Sequence, residues 1–407
     1  MKFQLTTLLL PSLLPHVRAS PRNTCSLNLL FSPPYCPLFE QHLPPSQRYH
    51  RNVRESNRSS NTSASNTAQP EQLWTSDPFC ISEFCVWTDT YFASDRGISI
   101  IATRNLAEGV AKSEGYQSAR RTRTSSAESQ TSPKYEVKAL PGRGFGLVAN
   151  HTLIRGDGVI SESPVILAQH DIEDLLGERE IAVLHRVAVE RLPQRSRADA
   201  AALHGYGGKG SAYDRFSANA FKVYDFAGVF PMVARINHDC RPNAHFHFDK
   251  KSFTHRIHAI RTIEPGEEIT ISYLSHYLTS DERAHRTTSQ WGFECSCRLC
   301  HAAREDINNS DNRLSRIQSI EAFFLEERQD EITANPAMAE ELIQLYKEER
   351  LGAPISRAYG YAAKQHALVG DKAKARMYAN HALDAAKLWA GPWSKEVAHI
   401  YALLAGL

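Results

Sequence analysis

The sequence predicts an α+β protein in which short strands are followed by a helical C-terminal region. Strand-like stretches rich in Val, Ile and aromatic residues recur through the middle of the chain. One tract with few large apolar residues precedes them, and a second tract interrupts them. Over about the last hundred residues, apolar side chains recur at helical spacing. At 407 residues, the chain is long enough for one large domain or for two to three ordinary ones.

The composition is that of a globular protein without a strong electrostatic preference. Hydrophobic residues make up 42% of the chain, and the formal net charge is +2. A charge this small gives no global field that would attract nucleic acid or a membrane surface, so we predict no direct nucleic-acid partner. The basic run at Arg120, Arg121 and Arg123 is interpreted as a solvated loop rather than a phosphate site.

The N-terminal residues 1–19 have the pattern of a secretory signal peptide. Lys2 precedes an apolar core from Leu5 to Leu14, and small residues follow at the spacing of a cleavage site after Ala19. The alternative is a disordered leader or a wrongly assigned start. A working leader predicts the secretory pathway; without it, we expect the nucleus or cytoplasm. The leader is too short to span a bilayer, and no later segment is long and apolar enough to do so.

Two polar tracts divide the first third of the chain. Residues 20–75 are rich in Pro, Ser and Asn and are predicted to be disordered, because they hold too few apolar side chains for a core. Residues 112–134 are predicted to be a linker for the same reason. Between the tracts, residues 76–111 form a β-like island, whose strand formers include Val86, Trp87, Tyr91 and Ile98–Ile101.

The eight cysteines fall into two groups of four. In the second half, Cys295, Cys297 and Cys300 form a C-x-C-x-x-C cluster, and Cys240 is available as a fourth thiol. Four thiolates satisfy a tetrahedral zinc ion, so zinc is favoured over disulfides. Export of the chain would favour the disulfide alternative. The first group lacks metal-ligand spacing, although its last pair would form a small disulfide loop in an exported chain: Cys25, Cys36, Cys80 and Cys85.

The stretch VARINHDCRPNAHFHF, residues 233–248, places many polar groups between apolar neighbours. Buried polar groups cost free energy unless they are paired, so this stretch either is a surface loop or holds a ligand. At its end, His245 and His247 alternate with Phe246 and Phe248, which predicts a half-buried strand. We interpret both histidines as ordinary residues on the more polar face of that strand.

The stretch LPGRGFG carries alternating glycines at Gly142, Gly144 and Gly146. Glycines at this spacing let backbone amides approach a ligand without obstruction by Cβ atoms. No helix follows immediately, so the pattern is neither a dinucleotide-binding fingerprint nor a P-loop.

Three motifs in order, RINHDCRPNA, EPGEEITISY and WGFECSCRLC, resemble those of SET-domain protein lysine methyltransferases. The resemblance is greatest to the SET-and-MYND group and covers about Tyr135 to His301. It implies a SET domain of short, mostly antiparallel strands with a knot-like crossing (135–276), a post-SET zinc segment (277–302) and a helical, TPR-like region (303–407). The MYND finger is missing, because no second Cys/His cluster lies between Val148 and Phe221; a segment with helical apolar spacing occupies that place.

The resemblance also implies roles for individual residues. Tyr273 matches the catalytic tyrosine, although a core tyrosine on the strand EITISY is the alternative. Asp239 stands where relatives have serine, and an added charge there would favour a neighbouring arginine. The matching zinc ligands are Cys240, Cys295, Cys297 and Cys300. The positions matching S-adenosylmethionine contacts are Gly142, Arg143, Gly144, Phe145, Gly146, Asn219, Asn237, His238, Trp291 and Phe293.

These features predict S-adenosylmethionine-dependent methyl transfer to lysines of protein substrates, histone or non-histone, with a structural zinc ion. The alternative is an inactive SET-fold scaffold that binds proteins through its helical C-terminal region. That region is interpreted either as a protein-binding surface or as a bundle that only completes the core. The intact Asn237, His238 and Tyr273 favour the enzyme.

Overall fold

The computed structural model describes residues 73–122, 133–205, 210–326 and 334–407. The predicted leader, almost all of the polar tract at 20–75, and Cys25 and Cys36 lie outside the described residues. Three sheets and a set of C-terminal helices make up the described part, which confirms the α+β class. Most strand pairs are antiparallel, as predicted.

The largest sheet has six strands in the order β1-β2-β3-β7-β9-β8. Its strands are β1 (Phe79–Ile81), β2 (Phe84–Asp89), β3 (Ile98–Thr103), β7 (Ile166–Gln169), β8 (Ala220–Val223) and β9 (Phe226–Val229). The predicted β-like island supplies β1 to β3, and β3 pairs in parallel with β7. The island is therefore not a separate unit but one half of this sheet. A disulfide joins Cys80 to Cys85 across the β1–β2 hairpin.

The predicted linker at 112–134 is wrong for its first part. Helices α2 (Arg104–Lys112) and α3 (Glu114–Arg121) follow β3 directly. The Tyr116 ring is fully buried and stacks on Phe92, and its hydroxyl donates a hydrogen bond to Asp89 Oδ2 at 3.1 Å. Arg120 pairs with the same carboxylate at 2.9 Å, so it does not belong to a solvated loop. The polar composition of residues 112–134 predicted a linker, but α3 has one buried face. Tyr116 and Ala119, which are three residues apart on the helix, form that face.

Between β7 and β8 lies the helical insert that the sequence predicts. It contains α4 (Ile172–Leu175), α5 (Glu178–Glu190), α6 (Gln194–Ala201) and α7 (Ala212–Asn219). Ile181 and Leu184 of α5 are buried against the six-stranded sheet, whereas Leu175 is exposed. The short α1 (Phe92–Asp95), before β3, is a single turn in which Ala93 and Ser94 have left-handed backbone angles.

Two smaller sheets hold the polar stretch 233–248. One has the order β10-β13-β5-β4 and the other the order β11-β12-β6. The strands are β4 (Tyr135–Leu140), β5 (Gly144–Ala149), β6 (Gly158–Glu162), β10 (Asn237–His238), β11 (Ala244–Asp249), β12 (Thr254–Ala259) and β13 (Glu268–Ile271). The two-residue β10 pairs in parallel with β13, which brings the RINHDC and EITISY motifs side by side. The predicted strand at 245–248 is β11.

The C-terminal region is helical, as its periodicity predicts. After α8 (Ser280–Trp291) come α9 (Arg304–Glu326), α10 (Pro336–Glu348), α11 (Ser356–Leu368), α12 (Lys372–Trp389) and α13 (Lys395–Gly406). The predicted apolar face of α9 is buried at Leu314, Ile317, Ile320 and Phe324. Gly370, with φ +79°, makes the turn between α11 and α12. A TPR-like arrangement of these helices stays a prediction.

The C-terminal helices pack directly on the strand region. Trp389 at the end of α12 stacks on His245 of β11, with ring centroids 4.3 Å apart and an interplanar angle of 11°. Arg241 pairs with Glu349 at 2.5 Å, and both side chains are nearly buried. No helix among the described residues is both long enough and apolar enough to cross a bilayer.

Candidate functional site

The pairing of β10 with β13 explains why polar groups crowd the stretch 233–248. Tyr273 lies two residues beyond β13, and its main-chain N–H donates to His238 Nδ1 at 2.9 Å. Its hydroxyl donates to the carbonyl oxygen of Ile236 at 2.7 Å. The polar groups therefore satisfy one another at a strand end, where the backbone has no further ladder partner. This arrangement puts Tyr273, the predicted catalytic residue, against the predicted cofactor segment.

His238 is buried, with 3% of its surface exposed, and both ring nitrogens face a partner. Nδ1 accepts from Tyr273, and Nε2 lies 3.4 Å from Cys240 Sγ. Burial lowers the pKa of His238 to about 4, so the ring is neutral near pH 7. A neutral ring with an accepting Nδ1 carries its proton on Nε2, where it points to the sulfur.

The four cysteines predicted as zinc ligands come together. Cys240 follows β10, and the other three follow α8, which ends at the left-handed Gly292 with φ +71°. The Cys240 sulfur lies 3.8 Å from that of Cys295 and 3.6 Å from that of Cys300. All four sulfurs lie within 4.8 Å of one another, and all are free thiols. Four converging thiols match the donor set of a tetrahedral structural zinc ion.

The predicted glycine turn lies beside this strand pair. Gly142 and Gly144 have φ of +70° and +67°, and open space surrounds the position of a Cβ atom at each. At Gly146, a Cβ atom would lie 2.8 Å from Asn237 Nδ2 and 2.9 Å from Glu268 Oε1. Asn237 donates to that carboxylate oxygen at 2.8 Å. A side chain at position 146 would have to displace the Leu140 methyl group, which lies 2.5 Å from the same Cβ position, and would disturb this hydrogen bond.

Arg143 ties the glycine turn to the neighbouring segments. Its Nε lies 3.0 Å from Glu268 Oε2, and its Nη2 donates to the His238 carbonyl oxygen at 3.0 Å. Nη1 reaches Ser296, between two of the cysteines, at 3.5 Å. The adjacent Phe145 side chain is 60% exposed. One guanidinium group thus connects the turn, the strand pair and the cysteine segment.

Trp291 and Phe293 lie on the aromatic side of the site. The Tyr273 ring centroid lies 5.5 Å from Trp291 and 6.4 Å from Phe293. Phe293 also approaches the His238 ring, at 6.1 Å. Both predicted aromatic contacts are therefore neighbours of Tyr273, and they extend the site toward the cysteine segment.

Asn219 is held by a different part of the fold. It ends α7, and its amide nitrogen donates to the carbonyl oxygens of His204 at 2.7 Å and Arg215 at 2.8 Å. These contacts fix the end of the helical insert. The role of Asn219 at a cofactor site stays a prediction.

The Asp239 carboxylate is held by a main-chain N–H group rather than by an arginine side chain. Its Oδ1 accepts from the main-chain N–H of Arg241 at 2.8 Å, and its own N–H donates to the Ile271 carbonyl oxygen at 2.9 Å. The carboxylate thus closes a turn around Cys240, which explains how a residue other than serine fits here.

Sequence reasoning missed Glu268. This residue accepts from Asn237 and pairs with Arg143, so it connects two predicted cofactor segments. The alternation of polar and apolar residues along β13 indicates that Glu268 lies on a different face from the buried Ile269. It does not identify the partners of Glu268, because these depend on the long-range pairing of β13 with β5 and β10.

Comparisons with known proteins agree with this geometry. The SET domain family matches residues 144–274. Histone-lysine N-methyltransferase set5 of Schizosaccharomyces pombe is 26% identical over 185 residues, which cover 45% of this chain and 56% of that protein. Histone-lysine N-methyltransferase SMYD3 of Homo sapiens is 38% identical over 81 residues, covering 20% and 18%. Protein-lysine N-methyltransferase SMYD4 of Mus musculus is 26% identical over 211 residues, covering 45% and 25%.

The chain spans between about a fifth and just over half the length of these curated relatives. The matched region begins within the glycine turn, at Gly144, and contains the β10–β13 pair and Tyr273. Residues 144–274 of this chain match the SET domain, and the three similar proteins described above carry the names of lysine methyltransferases.

Proposed function

We propose that this protein transfers methyl groups from S-adenosylmethionine to lysine side chains of protein substrates. The observation that carries the proposal is the placement of the Tyr273 hydroxyl, fixed by the Ile236 carbonyl oxygen beside the glycine turn and the His238 segment. The names of the relatives support lysine methyl transfer as the reaction class.

The residues around the glycine turn fit a cofactor that ends in a charged amino acid. Open space at Gly142 and Gly144 lets main-chain N–H groups approach a ligand. Asn237 is only partly buried and offers amide groups next to that turn. Trp291 and Phe293 offer flat apolar surfaces for an aromatic base. When bound, S-adenosylmethionine supplies a methyl group on a positively charged sulfur.

Tyr273 would orient the lysine amine for an in-line attack on that methyl group. Burial raises the pKa of the Tyr273 phenol, so the phenol keeps its proton near neutral pH. That proton is donated to the Ile236 carbonyl oxygen, which leaves the lone pairs of the phenol oxygen to accept from the amine. The amine must first lose a proton from its ammonium form, and an apolar channel favours this loss by lowering the lysine pKa. Alignment of the reactants supplies much of the rate.

We further propose that the four cysteines hold one structural zinc ion. The four thiols converge within 4.8 Å, and Cys240, Cys295 and Cys297 are buried. Such a site would fix the segment that carries Trp291 and Phe293 against β10. Its contribution is to shape the pocket rather than to take part in the chemistry.

The central test measures binding and transfer separately. Calorimetric titration with S-adenosylmethionine should give a stoichiometric binding isotherm, and a protein array incubated with labelled cofactor should show label on lysine. An absence of cofactor binding would overturn the proposal and favour an inactive scaffold. Label on a residue other than lysine would overturn the substrate class while leaving methyl transfer in place.

Replacement of Asn237 by alanine is expected to weaken S-adenosylmethionine binding by about 10- to 100-fold. Hydrogen bonds to charged groups are worth about 1.5–3 kcal/mol each, which corresponds to that range. The matched control is Asn150→Ala, because Asn150 donates an exposed amide hydrogen bond to Pro133, at 3.0 Å. Calorimetry on both variants decides the point. Equal affinity of Asn237→Ala and the unsubstituted protein would place the pocket elsewhere.

One zinc ion per chain is the expected result of elemental analysis on the purified protein. Removal of the ion with a chelator should loosen the cysteine segment and weaken cofactor binding, because structural metal binding is coupled to local folding. Limited proteolysis near residues 292–300, before and after chelation, measures the loosening. Mapped disulfides among the four cysteines, together with no zinc, would contradict the assignment.

A further inference from the structure

We propose that His238 is a positioning residue that transmits the state of the four-cysteine site to Tyr273. The inference rests on the zinc site proposed above and concerns the side chain of His238. The ring of this residue stands between the two parts of the site, with one nitrogen directed at each.

The first link joins His238 to the backbone of Tyr273. The β10–β13 pairing ends at His238 and Ile271, so the main-chain N–H of Tyr273 lies beyond the ladder. That N–H donates to His238 Nδ1 at 2.9 Å and so takes a side-chain partner instead of a strand partner. The phenol of the same tyrosine returns to Ile236, two residues before His238. The histidine ring therefore holds the backbone position from which the phenol projects.

The second link joins His238 to the metal site. A backbone N–H is always a donor, so Nδ1 must be the acceptor and the ring proton resides on Nε2. Nε2 lies 3.4 Å from the sulfur of Cys240. A metal-bound cysteine is a thiolate, and an N–H group pointing at it makes a charge-assisted hydrogen bond. The orientation of the ring then depends on the ionised sulfur.

Packing leaves the ring little freedom to find another partner. His238 is 3% exposed, and its ring centroid lies 5.3 Å from that of Tyr273 and 6.1 Å from that of Phe293. Its carbonyl oxygen accepts from Arg143 at 3.0 Å, which fixes the backbone on the opposite side. Loss of the thiolate would leave the Nε2 proton facing a neutral thiol and would weaken the hold on Tyr273.

The test compares two substitutions of His238 in the cobalt-loaded and metal-free protein. His238→Phe keeps a ring but removes both the donor and the acceptor. His238→Gln supplies one amide acceptor and one amide donor, so it can restore the links. The matched control is His285→Gln, because His285 is exposed on α8.

Two readouts are independent of methyl transfer. The thiolate-to-cobalt charge-transfer absorption should shift in His238→Phe, because a hydrogen bond to one sulfur is lost, and should move back toward the original position in His238→Gln. Hydrogen exchange at the Tyr273 amide should be up to about tenfold faster in His238→Phe, since one net hydrogen bond contributes about 0.5–1.5 kcal/mol. Metal removal from the unsubstituted protein should also accelerate exchange at this amide.

The outcomes separate this inference from the proposed zinc site. Unchanged absorption and unchanged Tyr273 exchange in His238→Phe, in a protein that binds cobalt, would overturn the link alone. No cobalt binding by the unsubstituted protein would overturn both the metal site and the link. A shift in His238→Phe that His238→Gln reverses, with no shift in His285→Gln, is the result we expect.

Discussion

Replacement of Tyr273 by phenylalanine is expected to lower the rate of methyl transfer by about 100-fold or more, since removal of one preorganised polar group typically costs about 2.7–4 kcal/mol in the transition state. The affinity for S-adenosylmethionine should change little. Such a pattern marks an interaction used mainly in the transition state. The ring contacts with Trp291 and Phe293 should survive, because only one oxygen is removed.

The same substitution leaves the Ile236 carbonyl oxygen without its 2.7 Å donor, which should cost about 1 kcal/mol of stability. Tyr277→Phe is the matched control. It removes a partly buried phenol that bonds to Tyr346 at 2.7 Å, in the C-terminal region. Single-turnover rates, calorimetry and thermal denaturation on both variants distinguish catalysis from stability. If Tyr273→Phe transferred methyl groups at the original rate, Tyr273 would be a core residue of the strand end.

The protein is expected to lose stability steeply as the pH falls from about 6.5 toward 4. Four histidines lie where β11 and β12 meet the end of α12, and burial lowers the pKa of each. The pKa is lowered to about 4 for His247 and to about 3 for His258 and His276, and well below its ordinary value for His245. The charged groups facing them are one carboxylate and three guanidinium groups: Asp249, Arg155, Arg241 and Arg256.

The sign follows from the protons that each state binds. An unfolded chain takes up a proton on each histidine near pH 6.5. In the folded protein the pKa is lowered to about 4 for His247 and to about 3 for His258 and His276, and burial holds the pKa of His245 well below its ordinary value, so all four rings stay neutral at that pH. The neutral rings therefore contribute fully to stability above the unfolded-state pKa of about 6.5, and this contribution is lost as the pH falls below that pKa. At about pH 5.5, each such histidine should cost on the order of 1 kcal/mol.

Urea denaturation between about pH 7.5 and 5 measures this effect. His258→Gln removes one titrating group and keeps a donor for the Leu388 carbonyl oxygen, to which the His258 ring bonds. The variant should therefore lose less stability per pH unit than the unsubstituted protein. The comparison variant is His285→Gln, which replaces an exposed histidine on α8, outside this cluster. A slope that is the same in His258→Gln and in the unsubstituted protein would contradict the neutral, buried cluster.

The sequence predicted which residues form the site more completely than it predicted the contacts between them. The spacing of Cys295, Cys297 and Cys300 predicted convergence, because three thiols within six residues can reach one point. The isolated Cys240 and the pair Asn237–His238 could be placed beside them only through the order of motifs. The β10–β13 pairing that joins them is a long-range contact, which local pattern does not encode.

The burial of several side chains could not be predicted from the neighbouring sequence. Period-two alternation predicted β11 as a half-buried strand, with His245 and His247 on its more polar face. In the structure that face is covered: Trp389 stacks on His245, and a Cβ atom at Gly391 would lie 2.7 Å from the His247 ring. A segment about 140 residues later supplies this cover, so burial of the histidines could not be inferred from the strand. The same holds for Tyr116, whose burial depends on Phe92 and Phe253.

The contact between Arg241 and Glu349 limits how this protein can be divided or recombined. Arg241 follows Cys240, and its guanidinium group reaches Glu349, which lies one residue beyond α10. Glu349 also accepts from Ser310 at 2.8 Å and from Arg313 at 2.6 Å. A chain shortened after residue 302 would lack the carboxylate that restrains the cysteine loop. We therefore expect gene fusions or domain exchanges that keep the three motifs but discard the last hundred residues to retain the four cysteines without this restraint.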